Sequence, residues 1–178
     1  HHTGGWLKGT GPNSDIVISS RIRLARNLAG IPFPHWAKKQ DLEQILVMSK
    51  TAFDKTEELK DSLFLKLDDF DSVDKQFLVE RHLMSNEHAM RSNQKGLLVN
   101  PDENIAIMVN EEDHLRIQVM ESGFDLDTTW RIINSIDDKL ANYLPYAVLR
   151  DWGYLTACPT NTGTGMRGSV MLHLPALV

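Results

Sequence analysis

Cysteine is almost absent. The 178-residue chain has one, Cys158, which excludes an internal disulfide framework and suits a reducing compartment, so a cytoplasmic location is expected. Long apolar runs are missing too: none approaches the ~20 residues of a membrane-spanning helix, and residues 1–14 lack the basic, apolar and small-residue succession of a secretory signal. No membrane partner is expected. Basic charge is not in excess. The formal net charge of −5 argues against nucleic acid as the main partner, because phosphate backbones attract basic surfaces. No two histidines stand at metal-ligand spacing, so no metal-ligating residues are expected. No Gly-Lys-Ser/Thr follows Gly163-Thr164-Gly165, which excludes a P-loop. Repeats and low-complexity tracts are also lacking.

What is present is ordinary for a globular chain: 42% hydrophobic and 24% charged residues, the make-up of one domain or most of a larger one. Residues 1–14, rich in Gly, Pro and polar side chains, read as an irregular lead-in. From Asp15 to Leu24 the pattern alternates. Ile16, Ile18, Ser20, Ile22 and Leu24 share one parity; Val17, Ser19, Arg21 and Arg23 share the other. This is a strand with one buried face and one that becomes cationic. Leu42, Ile45, Leu46 and Phe53 predict a helix over 41–59, and Phe77, Leu78 and Leu83 a shorter one over 74–85. Leu97-Leu98-Val99 begins a strand. Ile105, Ile107 and Val109, then Leu115, Ile117 and Val119, predict two antiparallel strands joined by a polar turn that runs into the second. Leu126, Trp130, Ile133, Leu140 and Tyr143 mark the longest amphipathic helix, 126–144, with Asp125 or Asp127 as its cap. Residues 154–157 and 169–174 are further strands. The order of elements predicts an α+β fold, an antiparallel sheet flanked by helices, filling residues 15–178.

Three short segments carry chemistry: Ser19-Ser20-Arg21-Ile22-Arg23, Asn110-Glu111-Glu112-Asp113-His114-Leu115-Arg116, and Cys158 to Arg167. An acidic triplet is most often a solvated turn, but this one lies between apolar strands. Arg116, four residues beyond Glu112, is expected on the same strand face. A lone cysteine is most often a small buried hydrophobe. Cys158, however, precedes a Thr/Asn/Gly-rich segment whose backbone N–H groups can form an anion-binding concavity. Arg21, Arg23, Arg116 and Arg167 each fall on or beside a predicted strand. Guanidinium forks suit phosphate because they donate paired hydrogen bonds and stay charged. Carboxylates that can take a proton, beside arginines that can hold a polyphosphate, point to phosphoryl transfer.

These motifs resemble the ATP:guanidino phosphotransferases, the family of creatine and arginine kinases. The longer runs Gly11–Leu28 and Arg167–Pro175 are similar to its bacterial protein-arginine kinase branch. The resemblance covers residues 11–178. It implies phosphorylation of protein arginines from ATP and Mg²⁺ on a sheet-and-helix catalytic fold. It implies ATP contacts from Ser19, Ser20, Arg21, Ile22, Arg23, His82, Arg116, Arg167, Gly168, Ser169, Val170 and Met171. Glu112 and Glu111 would be the catalytic carboxylates, and Cys158 the thiol beside the guanidinium. Proteins with exposed arginine are the implied substrates, in bacterial stress control. Clp-type protease machinery, an activator protein and a second copy of the chain are the implied partners.

The family continues with another arginine-and-glycine loop and a second acidic residue, neither of which this sequence contains. The domain is therefore expected to be partial at its C-terminal side. Two alternatives stand beside the protein kinase. A small-molecule guanidino kinase carries a helical domain before the Ser-Arg strand, whereas 18 residues precede Ser19 here. An inactive module that binds ATP or phosphoarginine is the other.

Overall fold

The computed structural model describes residues 4–90 and 93–175; His1-His2 and Val178 lie outside them. Its centre is a six-stranded antiparallel sheet. In chain order the strands are β1 (Val17–Arg26), β2 (Leu63–Lys66), β3 (Gly96–Val99), β4 (Ile105–Val109), β5 (Leu115–Ser122), then a two-residue hairpin β6 (Val148–Leu149) and β7 (Gly153–Tyr154) outside the main sheet, and β8 (Met166–Leu172). The sheet order is β2-β3-β4-β5-β1-β8. β1 pairs with β5 on one side and β8 on the other.

That register sorts the side chains into two faces. Opposed residues of paired strands share a face, so Ile22, Leu24, Ile117, Val119 and Ile107 point one way. Helix α1 (Lys39–Asp54) adds Ile45, Leu46 and Phe53 to the core there, and α4 (Leu126–Ala141) adds Ile133, Ile136 and Leu140. Arg21, Arg23, Arg116 and Arg167 fall on the other face. Half of it, at β3 and β4, is apolar: Leu97, Val99, Ala106 and Met108 pack with Leu78 of α2 (Ser72–Glu80) and with Leu83 and Met84. Short α3 (Asn86–Met90) lies beside this cluster. Among the described residues no helix covers the half at β5, β1 and β8, which carries the arginines.

Several boundaries differ from expectation for local reasons. The predicted 41–59 helix stops at Asp54, where the Thr56 hydroxyl bonds back to the Ala52 carbonyl, and 57–59 form a separate 3-10 turn. The 74–85 helix starts earlier, on the Asp71 side-chain cap, and ends at Glu80 because His82 takes a left-handed φ of 59°. α4 is capped by Asp125, whose carboxylate accepts from the Thr128 amide at 3.0 Å. The alternation of β1 holds from Ser20 to Leu24. At its start Ile16 is exposed and Val17 buried, because the pairing with β8 shifts between Val17 and Ser19. The lead-in presses on the sheet: a Cβ on Gly11 would sit 1.7 Å from the Ser122 carbonyl oxygen. Only glycine fits there, which ties residues 11–12 to the end of β5.

Candidate active site

The β4–β5 hairpin turn places the carboxylates. Asn110 opens it with a left-handed φ of 62°, a conformation asparagine tolerates better than most residues. The Asn110 amide donates to the His114 carbonyl at 2.9 Å, and its side chain bonds the carbonyls of Leu42 and Gln94. The turn therefore folds back on its own strand. Glu112 stays off β5, contrary to the expected shared strand face, yet still reaches Arg116 at 3.3 Å. Glu111 pairs with Arg116 more closely, at 2.7 Å, and accepts a hydrogen bond from Ser85 at 2.9 Å. Glu111 is buried and doubly engaged. Glu112 is partly exposed, its side chain 37% accessible, so its carboxylate has an open side.

Asp113 and His114, the next two residues, are fully buried and join the hairpin to the Cys158 segment. Asp113 accepts from the Asn27 side chain at 2.6 Å and from the Ala157 amide at 2.7 Å. His114 Nδ1 accepts from the Leu28 amide, which makes Nε2 the protonated nitrogen, donating to the Pro32 carbonyl at 2.9 Å. Burial holds this imidazole below the usual histidine range, against opposing pulls from the Pro32 carbonyl and Asp113. Ala157 precedes Cys158, so Asp113 sets where the thiol stands relative to Glu112. The thiol lies 3.0 Å from the Thr160 hydroxyl.

The Gly-rich segment does not form the expected anion concavity. The amides of Asn161, Thr162, Gly163 and Gly165 donate to the carbonyls of Cys158, Pro159, Tyr154 and Asn161. Those donors are spent inside the loop and its hairpin. Positive charge comes instead from the sheet. Arg23 faces Arg167 on β8, and Arg21 Nε donates to the Ser169 hydroxyl at 3.3 Å. Burial, together with Arg167 and Arg116 nearby, lowers the Arg21 pKa. Arg23 is pushed down to about 10 by burial first and then by Arg21, Arg116 and Arg167, with Glu111 opposing. Four guanidiniums share one face and repel one another.

A cleft of about 880 Å³ opens beside them, lined by Arg23, Arg116, Arg167, Glu111, Glu112 and Cys158 among others. The structure thus brings six of the sequence-derived residues to one cavity. Arg21, Ser19, Ser169 and Met171 continue the same face along β1 and β8 outside it. Ser20, Ile22, Gly168 and Val170 belong to the opposite face. The Ser20 hydroxyl donates to the Gly123 carbonyl and accepts from the Asp125 amide, holding the start of α4. His82 stands apart from the cleft. Its ring meets Trp6 edge-on at 5.5 Å, and its carbonyl accepts from Gln118, the residue opposite Arg23. Among the described residues no group of three His, Cys, Asp or Glu could hold a metal, and no helix is long and apolar enough to cross a membrane.

Two supports escaped the sequence reading. Ser85 accepts the His88 amide while donating to Glu111, and His88 is wholly buried with Nε2 2.9 Å from the Gly96 carbonyl. Burial drives the His88 pKa down to about 3, against the pull of that carbonyl, with Lys95 and Arg116 adding to the depression. A depressed folded-state pKa means the unfolded chain binds the proton better. The stability that neutral His88 contributes is therefore complete above the unfolded pKa of about 6.5. It is lost as pH falls toward 3, at up to ~1.4 kcal/mol per pH unit. We expect the urea midpoint of the full-length protein to fall between pH 7 and 5, and to fall less in His88→Gln. Equal slopes in both proteins would remove this group from the account.

Comparison with known proteins bears on the family and the fold. The chain is 49% identical over 172 residues to a protein-arginine kinase of Halothermothrix orenii, covering 97% of this chain and 49% of that protein. A protein-arginine kinase of Symbiobacterium thermophilum is 48% identical over 181 residues, covering 97% of this chain and 50% of the relative. The chain thus spans about half the length of the curated relatives it matches. Among solved structures, the duplicated taurocyamine kinase of Schistosoma mansoni with bound transition-state analogue components superposes with a TM-score of 0.85 at 26% identity, covering 94% of this chain and 25% of that one. Lombricine kinase gives a TM-score of 0.79, also at 26% identity, covering 96% of this chain and 51% of the other. Residues 44–178 match the C-terminal catalytic domain of the ATP:guanido phosphotransferases, and the chain belongs to that family.

Proposed function

We propose that the protein containing this chain phosphorylates arginine side chains of other proteins, with ATP as donor. The observation that supports it best is the cleft itself. A partly exposed carboxylate, Glu112, a thiol, Cys158, and three guanidiniums, Arg23, Arg116 and Arg167, line one cavity. Their charges suit a cationic acceptor meeting a polyanionic donor.

In this reading Arg21, Arg23, Arg116 and Arg167 hold the phosphate chain, the role for which clustered guanidiniums are suited. Mg²⁺ arrives with the nucleotide and neutralises phosphate charge. Ser169 keeps Arg21 aimed along the face. His82 takes part, in this reading, through its backbone carbonyl, which accepts from Gln118 opposite Arg23. An acceptor guanidinium is protonated at neutral pH and must lose a proton to attack. Glu112 orients it and takes that proton as the N–P bond forms and the bond between the γ-phosphorus and the ADP oxygen breaks. The transition state is loose, so alignment and charge neutralisation carry the catalysis. Glu111 fixes Arg116 rather than touching the acceptor, and the Cys158 thiol packs beside the guanidinium. Cytoplasmic Clp-type protease machinery, an activator protein and self-association fit the same reading and are open to pull-down from the native cytoplasm.

A second reading, a small-molecule guanidino kinase, takes its support from the taurocyamine and lombricine kinases of like fold. Those are 26% identical, against 48–49% for the protein-arginine kinases. We therefore expect the full-length protein to phosphorylate arginine within an arginine-rich protein at least about tenfold better than free arginine, a difference of ~1.4 kcal/mol in transition-state binding. Labelled ATP with both acceptors side by side decides it. A preference for the free amino acid promotes the second reading.

A further inference from the structure

Arg26 is the guanidinium of β1 that turns away from the cationic face. It is buried beneath the Gly-rich loop, whose residues line the cleft. Nε and Nη2 fork onto Asp137 of α4, at 2.7–3.1 Å. Nη1 donates to the Ala25 carbonyl at 2.8 Å and to the Thr164 carbonyl at 2.9 Å. The guanidinium carbon lies 3.6 Å from the centre of the Tyr154 ring. One side chain thus joins β1, α4, the β6–β7 hairpin and the Gly-rich loop.

The loop lies hard against it. Gly165 has a φ of +63°, and a Cβ there would lie 2.6 Å from the Ala25 oxygen and 2.7 Å from Arg26 Nη1. The Ala25 amide donates to the Gly165 carbonyl at 2.8 Å. On one side of Thr164-Gly165 the chain leads back to Cys158; on the other it enters β8 and reaches Arg167 two residues on. We propose that Arg26 is a positioning residue: by clamping Thr164 and Gly165 it fixes the span between Cys158, on the acceptor side, and Arg167, on the phosphate side. This role rests on the kinase reading above.

The clamp differs from a structural ion pair in where its bonds go. The Asp137 fork alone would fasten α4 to the sheet, and a well-packed apolar pair could do that equally well. The Thr164 bond and the Tyr154 stack add nothing to α4. They fix a loop. Lysine, with one ammonium and no plane, cannot hold Asp137 and the Thr164 carbonyl together while stacking on Tyr154. In phosphoryl transfer, a shift of about 1 Å between donor and acceptor costs ~10²-fold in rate. Arg21, Arg23 and Arg116 do not depend on this loop, so resting-state nucleotide binding would largely persist.

The test uses the full-length protein, with ATP and an arginine-rich protein as substrates, and rates are counted per nucleotide-binding molecule by calorimetry. Arg26→Lys is expected to lower kcat by about 10²-fold while KM for ATP changes by less than about threefold. Gly165→Ala keeps the Arg26 and Asp137 side chains themselves but forces the loop and the guanidinium apart, and is expected to show the same split. It also decides the matter should Arg26→Lys not fold. A kcat within threefold of the parent, or a raised KM with kcat intact, overturns the positioning role. An unaltered protein that transfers no phosphate to arginine overturns the kinase reading itself, and this role with it.

Discussion

Glu112→Gln in the full-length protein is expected to lower arginine phosphorylation by about 10²–10⁴-fold, the usual cost of removing a positioned general base. Glutamine keeps the shape of the side chain and a carbonyl for Arg116, but it cannot accept the acceptor's proton. Nucleotide affinity should hardly change, because Glu112 has an open side and makes the looser of the two contacts to Arg116, 3.3 Å against 2.7 Å for Glu111. Single-turnover transfer from labelled ATP, beside nucleotide titration calorimetry, reads both quantities. Turnover close to the parent's would remove Glu112 from the proton-transfer role. Lost nucleotide binding would show that the two glutamates share one job.

The largest effect on stability is expected at Asp113→Ala. Asp113 is fully buried, and the change strips the acceptor from two buried donors, the Asn27 side chain and the Ala157 amide. Each unsatisfied donor costs ~1–3 kcal/mol, so the loss is about 2–6 kcal/mol. At 2–4 °C per kcal/mol for a chain this long, the melting temperature should drop by roughly 4–24 °C. Asp113→Asn keeps one acceptor oxygen and should lose less. A drop below about 2 °C for the alanine variant would mean that water or a rearranged Asn27 satisfies both donors. The same substitution frees Ala157, so Cys158 should drift from Glu112 before the fold gives way.

The contrast between Asp113 and its neighbours explains what the sequence could reveal. Period-two alternation announced β4 and β5, and the turn between them, because one hairpin is a local object. The arginine face was legible for the same reason: Arg21 and Arg23 share a parity within β1. What stayed hidden depends on partners far along the chain. The apolar strands around Asp113 argued against a merely solvated turn, but nothing in the sequence named Asn27 and Ala157 as its partners. Arg26 had left a trace. It shares the parity of Ile22 and Leu24, so it had to point into the helix-covered face, and a buried arginine needs a carboxylate. Asp137, on the apolar stripe with Ile133, Ile136 and Leu140, had to be buried likewise. The expected anion cradle in the Gly-rich segment failed because backbone amides carry no label saying where they donate. The helix over 74–85 ended early because nothing in His82 itself foretells a left-handed turn.

The central place of β1 sets a timetable for synthesis. Its two sheet neighbours, β5 and β8, lie far downstream, and the Arg26–Asp137 pair spans 111 residues. A ribosome adding 5–20 residues per second needs roughly 5–20 s to supply Asp137 after Arg26. For most of that interval, until β5 is made, β1 has no strand on either side, and its apolar parity and its arginines are exposed together. The hairpin of β4 and β5 can form alone, but the sheet closes only when β1 is enclosed between strands made long after it. Such non-local pairing slows folding and lengthens the time during which nascent chains can meet one another. β1, which carries two of the four arginines of the cationic face, is thus made before both of its sheet neighbours and enclosed only with the later of them.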